Sequence, residues 1–214
     1  GLGDDYGYDT DWYSELVRNT PVSHNHVLNI AGGSENAHIY TTIKAGNQKG
    51  IVIGDGRQDF SGRINAGFKF WDGKASITTN AEYREAKRDR RNSAGTFNMA
   101  MALNPTIPLY DPNTPVDYLV DGYGISGTDF NPVADVNLRD YDAKDTWLLA
   151  DAALQINVTD NLNVKGVIGY QKAQLQQNSY VSRKHSESVR NNRQGAAQHK
   201  FDKTETVSFE AYAT

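Results

Sequence analysis

This 214-residue chain shows a strict alternation of short and long connections between segments of two-residue periodicity, and few folds are compatible with such a pattern. Seven segments alternate apolar and polar side chains and are bounded by Gly, Asp or Asn, which is typical of β-strands. They cover residues 22–31, 37–46, 58–70, 74–88 and 145–158, a sixth segment that begins at Leu162, and residues 203–214. Most are longer than the usual 5 or 6 residues of a strand.

The connections between these segments fall into two classes. Residues 32–35, 71–73 and 159–161 have the Gly, Asp and Asn content of tight hairpin turns. The other connections are long and cover residues 47–57, 89–144 and 177–202. In an up-and-down meander, alternate connections lie at opposite ends of the sheet. The sequence therefore predicts short turns at one rim and long loops at the other, as in an outer-membrane barrel.

Strand length agrees with this interpretation. Eleven residues at about 3.4 Å each, tilted near 45°, rise about 26 Å, which matches an apolar band of about 25 Å. We therefore predict an all-β fold, an antiparallel up-and-down meander that forms a partial segment of a transmembrane β-barrel, with its polar face toward the lumen. The alternative is a soluble surface β domain that binds glycans and has one solvent-exposed sheet face.

Composition excludes several other classes of protein. The absence of cysteine rules out disulfides and thiolate metal sites. A net charge of −4 argues against nucleic acid as a partner. No apolar run approaches the roughly 20 residues of a helical membrane span. No nucleophile motif, Walker loop or dinucleotide fingerprint is present, so we do not expect an enzyme.

Three groups of residues are candidate ion-binding sites. The acidic opening and the glycine-rich stretch around Asp121 and Asp129 are weak calcium candidates, for which a solvated linker and a flexible loop are the favoured readings. His24 and His26 share one strand face but lack a third ligand. We predict no cofactor. The acidic residues of the opening are Asp4, Asp5, Asp9 and Asp11, and a basic run expected at a loop base consists of Arg84, Lys87, Arg88, Arg90 and Arg91.

Several stretches resemble one family. Residues 11–18 (Asp-Trp-Tyr-Ser-Glu-Leu-Val-Arg), followed by Asn25-His26 and Gly32-Gly33-Ser34, look like the stretch where SusC/RagA-type TonB-dependent transporters leave the plug and begin the barrel. Residues 50–52 and 61–65 resemble the next loop and strand of that family, and residues 104–111 and 131–134 its long external loop.

This resemblance implies a location in the cell outer membrane and uptake of glycans or peptides, driven through TonB, with a SusD-like surface lipoprotein as partner. It makes residues 1–21 a plug-to-barrel linker with a short helix and residues 22–214 a barrel segment embedded in the lipid bilayer. Family members have a plug and 22 strands, so the remaining barrel and plug segments are further expected partners. The sequence does not identify the transported substrate.

The long loop between residues 99 and 123 supplies the candidate binding residues. Tyr110, Tyr118 and Tyr123 lie close to prolines in this loop. Aromatic rings on rigid loops suit stacking on sugar rings or docking of a partner protein. Packing within the loop explains the same tyrosines about equally well.

Overall fold

Residues 4–89 and 93–214, which the computed structural model describes, form one seven-stranded sheet and a separate two-stranded hairpin. The large sheet is antiparallel throughout, and its strands are neighbours in chain order. Its strands are β1 (His24–Gly33), β2 (Ala37–Lys49), β3 (Gly56–Phe70), β4 (Ala75–Asp89), β7 (Arg139–Thr159), β8 (Leu162–Val181) and β9 (Ala196–Ala213). The predicted all-β antiparallel meander is confirmed, and the sheet is open at β1 and β9.

The strands extend further toward the long links than predicted. β7 has 21 residues and begins at Arg139 rather than at residue 145, and β9 begins at Ala196 rather than at residue 203. The extensions are polar and lack the alternation that marks a strand, but backbone pairing continues through them. The loops predicted at 47–57, 89–144 and 177–202 are therefore shorter, and the links run over residues 50–55, 90–138 and 182–195.

Short and long links lie at opposite ends of the sheet, as predicted. The short links cover residues 34–36, 71–74 and 160–161. In the second of these, Trp71 and Asp72 have φ of 54° and 53°, and Gly73 follows with φ of 84°. This left-handed run reverses the chain within four residues, and the N–H of Lys74 closes it on the carbonyl of Trp71 at 3.0 Å.

The remaining elements lie at the end of the sheet that carries the long links. They are α1 (Trp12–Leu16), α2 (Ser93–Ala102), β5 (Tyr110–Asp111), β6 (Thr114–Tyr118), α3 (Pro132–Leu138) and α4 (Ser186–Arg190). Asn131 caps α3 by accepting the N–H groups of Val133 and Ala134, and Pro132 occupies its first turn. Within residues 4–89 and 93–214, none of the helices combines the length and the apolarity needed to cross a bilayer.

The main hydrophobic core is built from these links and not from the sheet. Its buried members come from α1, α2, α3, the link 50–55 and the stretch between α2 and α3. They are Trp12, Leu16, Val52, Ala100, Leu103, Ile107, Leu119, Ile125, Val133 and Val136. We call this unit, residues 4–18, 50–55 and 93–138, the cap. Among the described strands of the large sheet, the buried apolar side chains are alanines only.

Candidate functional site

One face of the large sheet carries a continuous apolar band. Residues directly opposite each other in antiparallel strands point to the same face. Four successive cross-strand rows, all within the described strands, contain no charged side chain and no histidine; we call them the apolar band. Its rows are Phe70-Ala75-Ile156-Val164-Ala213, Ala37-Phe68-Ile77-Leu154-Gly166-Ala211, Gly32-Ile39-Ala66-Thr79-Ala152-Ile168-Phe209 and Ile30-Thr41-Ile64-Ala81-Ala150-Tyr170-Val207.

Most large side chains of the band are exposed, and Phe70, Ile156 and Tyr170 are half-buried. Phe68 is 50% exposed, Ile168 55% and Phe209 74%. A fifth row continues the band on the first five strands with Leu28, Ile43, Gly62, Tyr83 and Leu148. Five rows cover about 27 Å along a strand and, at a tilt near 40°, about 21 Å along a barrel axis, close to the apolar height of membrane barrels. An exposed apolar surface of this extent marks a face that is covered by something other than water.

The opposite face of the same strands is polar, and we call it the polar face. The side-chain amide of Asn80 donates to Asp151 at 2.8 Å, and the hydroxyl of Thr42 donates to the Asn29 carbonyl oxygen at 2.9 Å. At the heights spanned by the band and by the fifth row, the polar face carries Arg63, Lys69, Glu82, Asp151, Lys165 and Glu210. Charged side chains therefore lie on the polar face and are absent from the apolar band.

Aromatic residues occupy the edges of the apolar band. Toward the long links, the hydroxyl of Tyr83 donates to Glu85 at 2.7 Å, and that of Tyr170 donates to Glu205 at 3.0 Å. At the short turns, Phe70 packs against Trp71 with ring centroids 5.0 Å apart. Rings at the boundary with a hydroxyl turned toward charged residues are the arrangement of interfacial girdles.

The cap ties the first residues of the chain to the long links. The N–H of Thr10 donates to the carbonyl of Pro105 at 2.8 Å, and the indole N–H of Trp12 donates to that of Asn104 at 3.1 Å. Arg18 donates to the carbonyls of Gly50 and Asp55 at 2.6 and 2.8 Å. Residues 4–18 therefore lie at the long-link end of the sheet. The division into a 1–21 linker and a 22–214 barrel segment stays a prediction.

The structure brings two of the three predicted tyrosines together. Tyr110 and Tyr118 pair across the β5–β6 hairpin, with rings stacked at 5.1 Å between centroids and 18° between planes. Burial raises the pKa of the Tyr118 hydroxyl, and the neighbouring Tyr110 raises it further. Tyr123 lies apart, in the left-handed region with φ of 49°, and packs edge-on against Tyr6 at 5.7 Å. Their role in binding stays a prediction.

Two aspartates of the acidic opening accept hydrogen bonds from residues two or three positions further along the chain. Asp11 caps α1 by accepting the N–H of Ser14 at 3.0 Å and its hydroxyl at 2.7 Å, and this hydroxyl lowers the pKa of the Asp11 carboxyl. Asp5 accepts the N–H of Gly7 at 2.9 Å. In the part of the chain that the structure describes, no three His, Asp or Glu side chains are grouped so that they could hold a metal ion.

The basic run that was predicted at a loop base lies on strand β4, while Arg90 and Arg91 fall outside the described residues. On the polar face, the guanidinium of Arg84 lies 5.0 Å from the ring centroid of Trp147. Arg88 forms an ion pair with Asp145 at 2.7 Å. These side chains border a hollow of about 410 Å³ in the polar face.

A second polar cluster, which sequence reasoning missed, joins two long links. The buried ring of His185 contacts Asp135 at 2.9 Å. Arg139 donates to Glu187 at 2.8 Å and lies 3.6 Å from Asp135. Asp135 and Arg139 are four residues apart, but their contacts with His185 and Glu187 span 50 and 48 positions, so the sequence gives no local signal for the cluster.

No family model matches the chain. It is 24% identical to the TonB-dependent receptor SusC of Bacteroides thetaiotaomicron over 193 residues, which are 81% of this chain and 19% of that receptor. It is 30% identical to the TonB-dependent receptor P26 of Formosa agariphila over 101 residues, 47% of this chain and 10% of that receptor. The chain thus spans a fifth or less of the length of these relatives.

Solved structures of similar fold are also transporters. The structure of the RagAB peptide transporter matches with a TM-score of 0.71 and 17% identity, over 98% of this chain and 24% of that chain. The RagAB peptide importer in the closed-closed state matches with a TM-score of 0.66 and 17% identity, over 96% of this chain and 24% of that chain. These matches extend over nearly the whole of this chain and about a quarter of the matched chains, and they show a shared fold.

Proposed function

We propose that this chain, a relative of the SusC/RagA-type TonB-dependent transporters, forms part of the wall of an outer-membrane barrel that imports glycans or peptides. The apolar band carries the proposal. It is free of charge over four rows and exposed to the surroundings, while the face behind it is charged. A lysine or arginine on the lipid face of such a barrel costs about 2–4 kcal/mol at the bilayer midplane, which explains the sorting.

The open edges of the sheet support a larger assembly. The outer edges of β1 and β9 have no strand beside them in the described part of the chain. Lipid contains no water to satisfy unpaired backbone groups, so only a closed barrel is stable in a bilayer. We infer that further strands pair with these edges and that the polar face lines a lumen shared with a plug.

We infer the orientation of the sheet in the outer membrane from its short and long links. Short turns face the periplasm and long links face outward in bacterial barrels. On this assignment the cap lies on the cell surface, and residues 4–18 approach the first strand from outside. The cap also offers the contact surface for a surface lipoprotein of the SusD type.

Transport of this kind makes and breaks no covalent bond. The solute crosses along the polar side of the wall, and energy is supplied from the inner membrane through TonB, which engages parts of the protein other than this sheet. The relatives are named receptors and transporters. We propose the same non-enzymatic role here, with the choice between glycan and peptide left to the test below.

Membrane fractionation tests the proposal. The complete gene product, expressed with its own export signal, is expected in the outer-membrane fraction and in solution only with detergent. A soluble glycan-binding β domain, the competing function, would instead be a detergent-free monomer that melts cooperatively. Recovery of such a monomer from the aqueous fraction would refute the barrel.

A further inference from the structure

We propose that the polar face contains a subsite for carboxylate groups of the transported ligand, formed by Arg57, Arg84 and Arg88 beside Trp147. This inference rests on the proposed function, because it places the polar face in the lumen. It goes further by assigning a chemical class of ligand to a specific part of the wall.

The hollow forms where small side chains on neighbouring strands are surrounded by larger ones on β2, β3, β4 and β7. Three small residues line it: Gly46 and Ala86 lie on either side of Asp59 in one cross-strand row, and Ser61 lies in the next row, between Lys44 and Arg84. Larger side chains stand around these small residues and leave a hollow of about 410 Å³. A space of this size is enough for one sugar ring or one amino-acid residue.

The arginines are held in position by acidic neighbours on the wall. The Nε of Arg57 donates to both carboxylate oxygens of Asp59, at 2.8 and 2.7 Å, and its Nη2 lies 2.6 Å from the same group. The Nη2 of Arg88 lies 2.7 Å from Asp145. Each contact uses one side of a planar guanidinium and leaves donors on the other side. The arginines are therefore preorganised for a second carboxylate.

Arg84 is fixed in a different way. Its Nε pairs with Glu82, and its guanidinium lies over the ring of Trp147 at 5.0 Å from the centroid. Stacking on an aromatic face orients the guanidinium without consuming its outer N–H groups. The rest of Trp147 supplies an apolar wall at the same height.

In two of the three ion pairs the arginine reaches further into the open space than its acid, while Arg88 and Asp145 are about equally exposed, at 31% and 34%. The side chains of Arg84 and Arg57 are 61% and 44% exposed, whereas those of Glu82 and Asp59 are 14% and 34% exposed. Lys44 adds a fourth cation on the rim. A ligand entering the hollow thus meets guanidinium and ammonium donors first, which favours carboxylates over neutral groups.

Carboxylates of this kind come from two sources, the uronate units of acidic glycans and the acidic residues or C-terminus of peptides. Both can be tested by calorimetry on the complete gene product in detergent. The probes are trigalacturonate with its neutral counterpart galactotriose, and the peptide Gly-Asp-Gly-Gly with the amidated peptide Gly-Asn-Gly-Gly. We expect one acidic probe to bind about tenfold or more tightly than its neutral counterpart, the factor of a charge-assisted hydrogen bond.

Variants connect this preference to the subsite. Arg57→Gln and Arg84→Gln should each weaken binding of the acidic probe about tenfold and leave the neutral probe unchanged. Arg57→Lys, which keeps the charge but not the planar fork, should fall between. Arg63→Gln is the matched control, because Arg63 lies on the same face of β3 but outside the hollow. Equal binding of acidic and neutral probes, or an equal loss in the control, would overturn the subsite.

The two proposals fail in different ways. Each preparation is first assayed for its presence in the outer membrane. If the protein is absent from that membrane, the proposed function fails, and the subsite falls with it. If the protein is present there and shows no preference for acidic probes, only the subsite is wrong.

Discussion

The Nε2 of His185 lies 2.9 Å from a carboxylate oxygen of Asp135, and this contact joins two long links whose residues are 50 positions apart. The Nδ1 of the same ring accepts the N–H of Glu187 at 3.0 Å and so caps α4. With Nδ1 used as acceptor, the neutral ring carries its proton on Nε2 and donates it to Asp135. One buried side chain thus both begins α4 and connects it to the cap, and we call this contact between His185 and Asp135 the clasp.

His185→Ala should therefore loosen the link 182–195. The substitution leaves Asp135 without this donor and removes the N-terminal capping side chain of α4, at a cost of about 1–3 kcal/mol. Hydrogen exchange should show faster exchange at residues 186–190, with the sheet unchanged. His199→Ala is the control, because His199 is exposed on β9 and contacts Asn178. Equal exchange in both variants would argue against the clasp.

Leu16→Ala should release the first residues of the chain from the cap. Leu16 is 0% exposed, and truncation of such a residue costs about 2–5 kcal/mol. Limited proteolysis should then cut within residues 4–18 at a low protease concentration. Glu15→Ala, at an exposed position of the same helix, should leave the segment protected. Protection of Leu16→Ala would mean that the cap does not hold this segment.

Thr78 and Thr79 give a matched test of the two sheet faces. Thr79 lies in the apolar band between Ala66 and Ala152, while Thr78 lies on the polar face between Gly67 and Ala153. Thr79→Lys should cost up to about 2–4 kcal/mol of folding free energy in a bilayer, and Thr78→Lys much less. Denaturant unfolding of the complete gene product in lipid vesicles measures both. A larger cost at Thr78 would reverse the assigned faces.

Tyr110→Ala should weaken the β5–β6 hairpin, because it removes a stacked ring pair worth about 0.5–1.5 kcal/mol. If the hairpin is a docking element, the variant should also retain less surface lipoprotein in copurification. Tyr110→Phe keeps the stack and should behave as the unchanged protein. Full retention by Tyr110→Ala would assign these tyrosines to packing alone.

The sheet was predictable because its signal is local. Alternation with a period of two determines which side chains share a face, as for Ile77 and Thr79 on β4. Residues typical of tight turns show which consecutive strands pair with each other. The ends of β7, β8 and β9 near the long links were not predicted. Their backbones pair there as elsewhere, but their side chains are mostly polar and give little alternation to mark a strand. Asp142, for example, accepts a hydrogen bond from the Asn178 side chain at 2.7 Å across the strands, a contact without an apolar pattern.

The cap and the clasp were not predictable for another reason. Leu103, Ile107 and Leu119 lie outside the helices and strands, so their joint burial with Leu16 depends on contacts distant in sequence. The stack of Tyr110 on Tyr118 likewise depends on a hairpin too short to show alternation. Sequence reasoning found the tyrosines by composition but not their pairing.

Quenching of a fluorophore by doxyl-labelled lipid shows which face of the sheet contacts the bilayer. The chain has no cysteine, so Phe209→Cys and Ser208→Cys each offer one labelling site at adjacent residues of β9 that face opposite sides. A fluorophore at residue 209 should be quenched by the labelled lipid, and one at residue 208 should be quenched only by an aqueous quencher. Lipid quenching at residue 208 with aqueous quenching at residue 209, or no lipid quenching at either, would contradict a lipid-facing band.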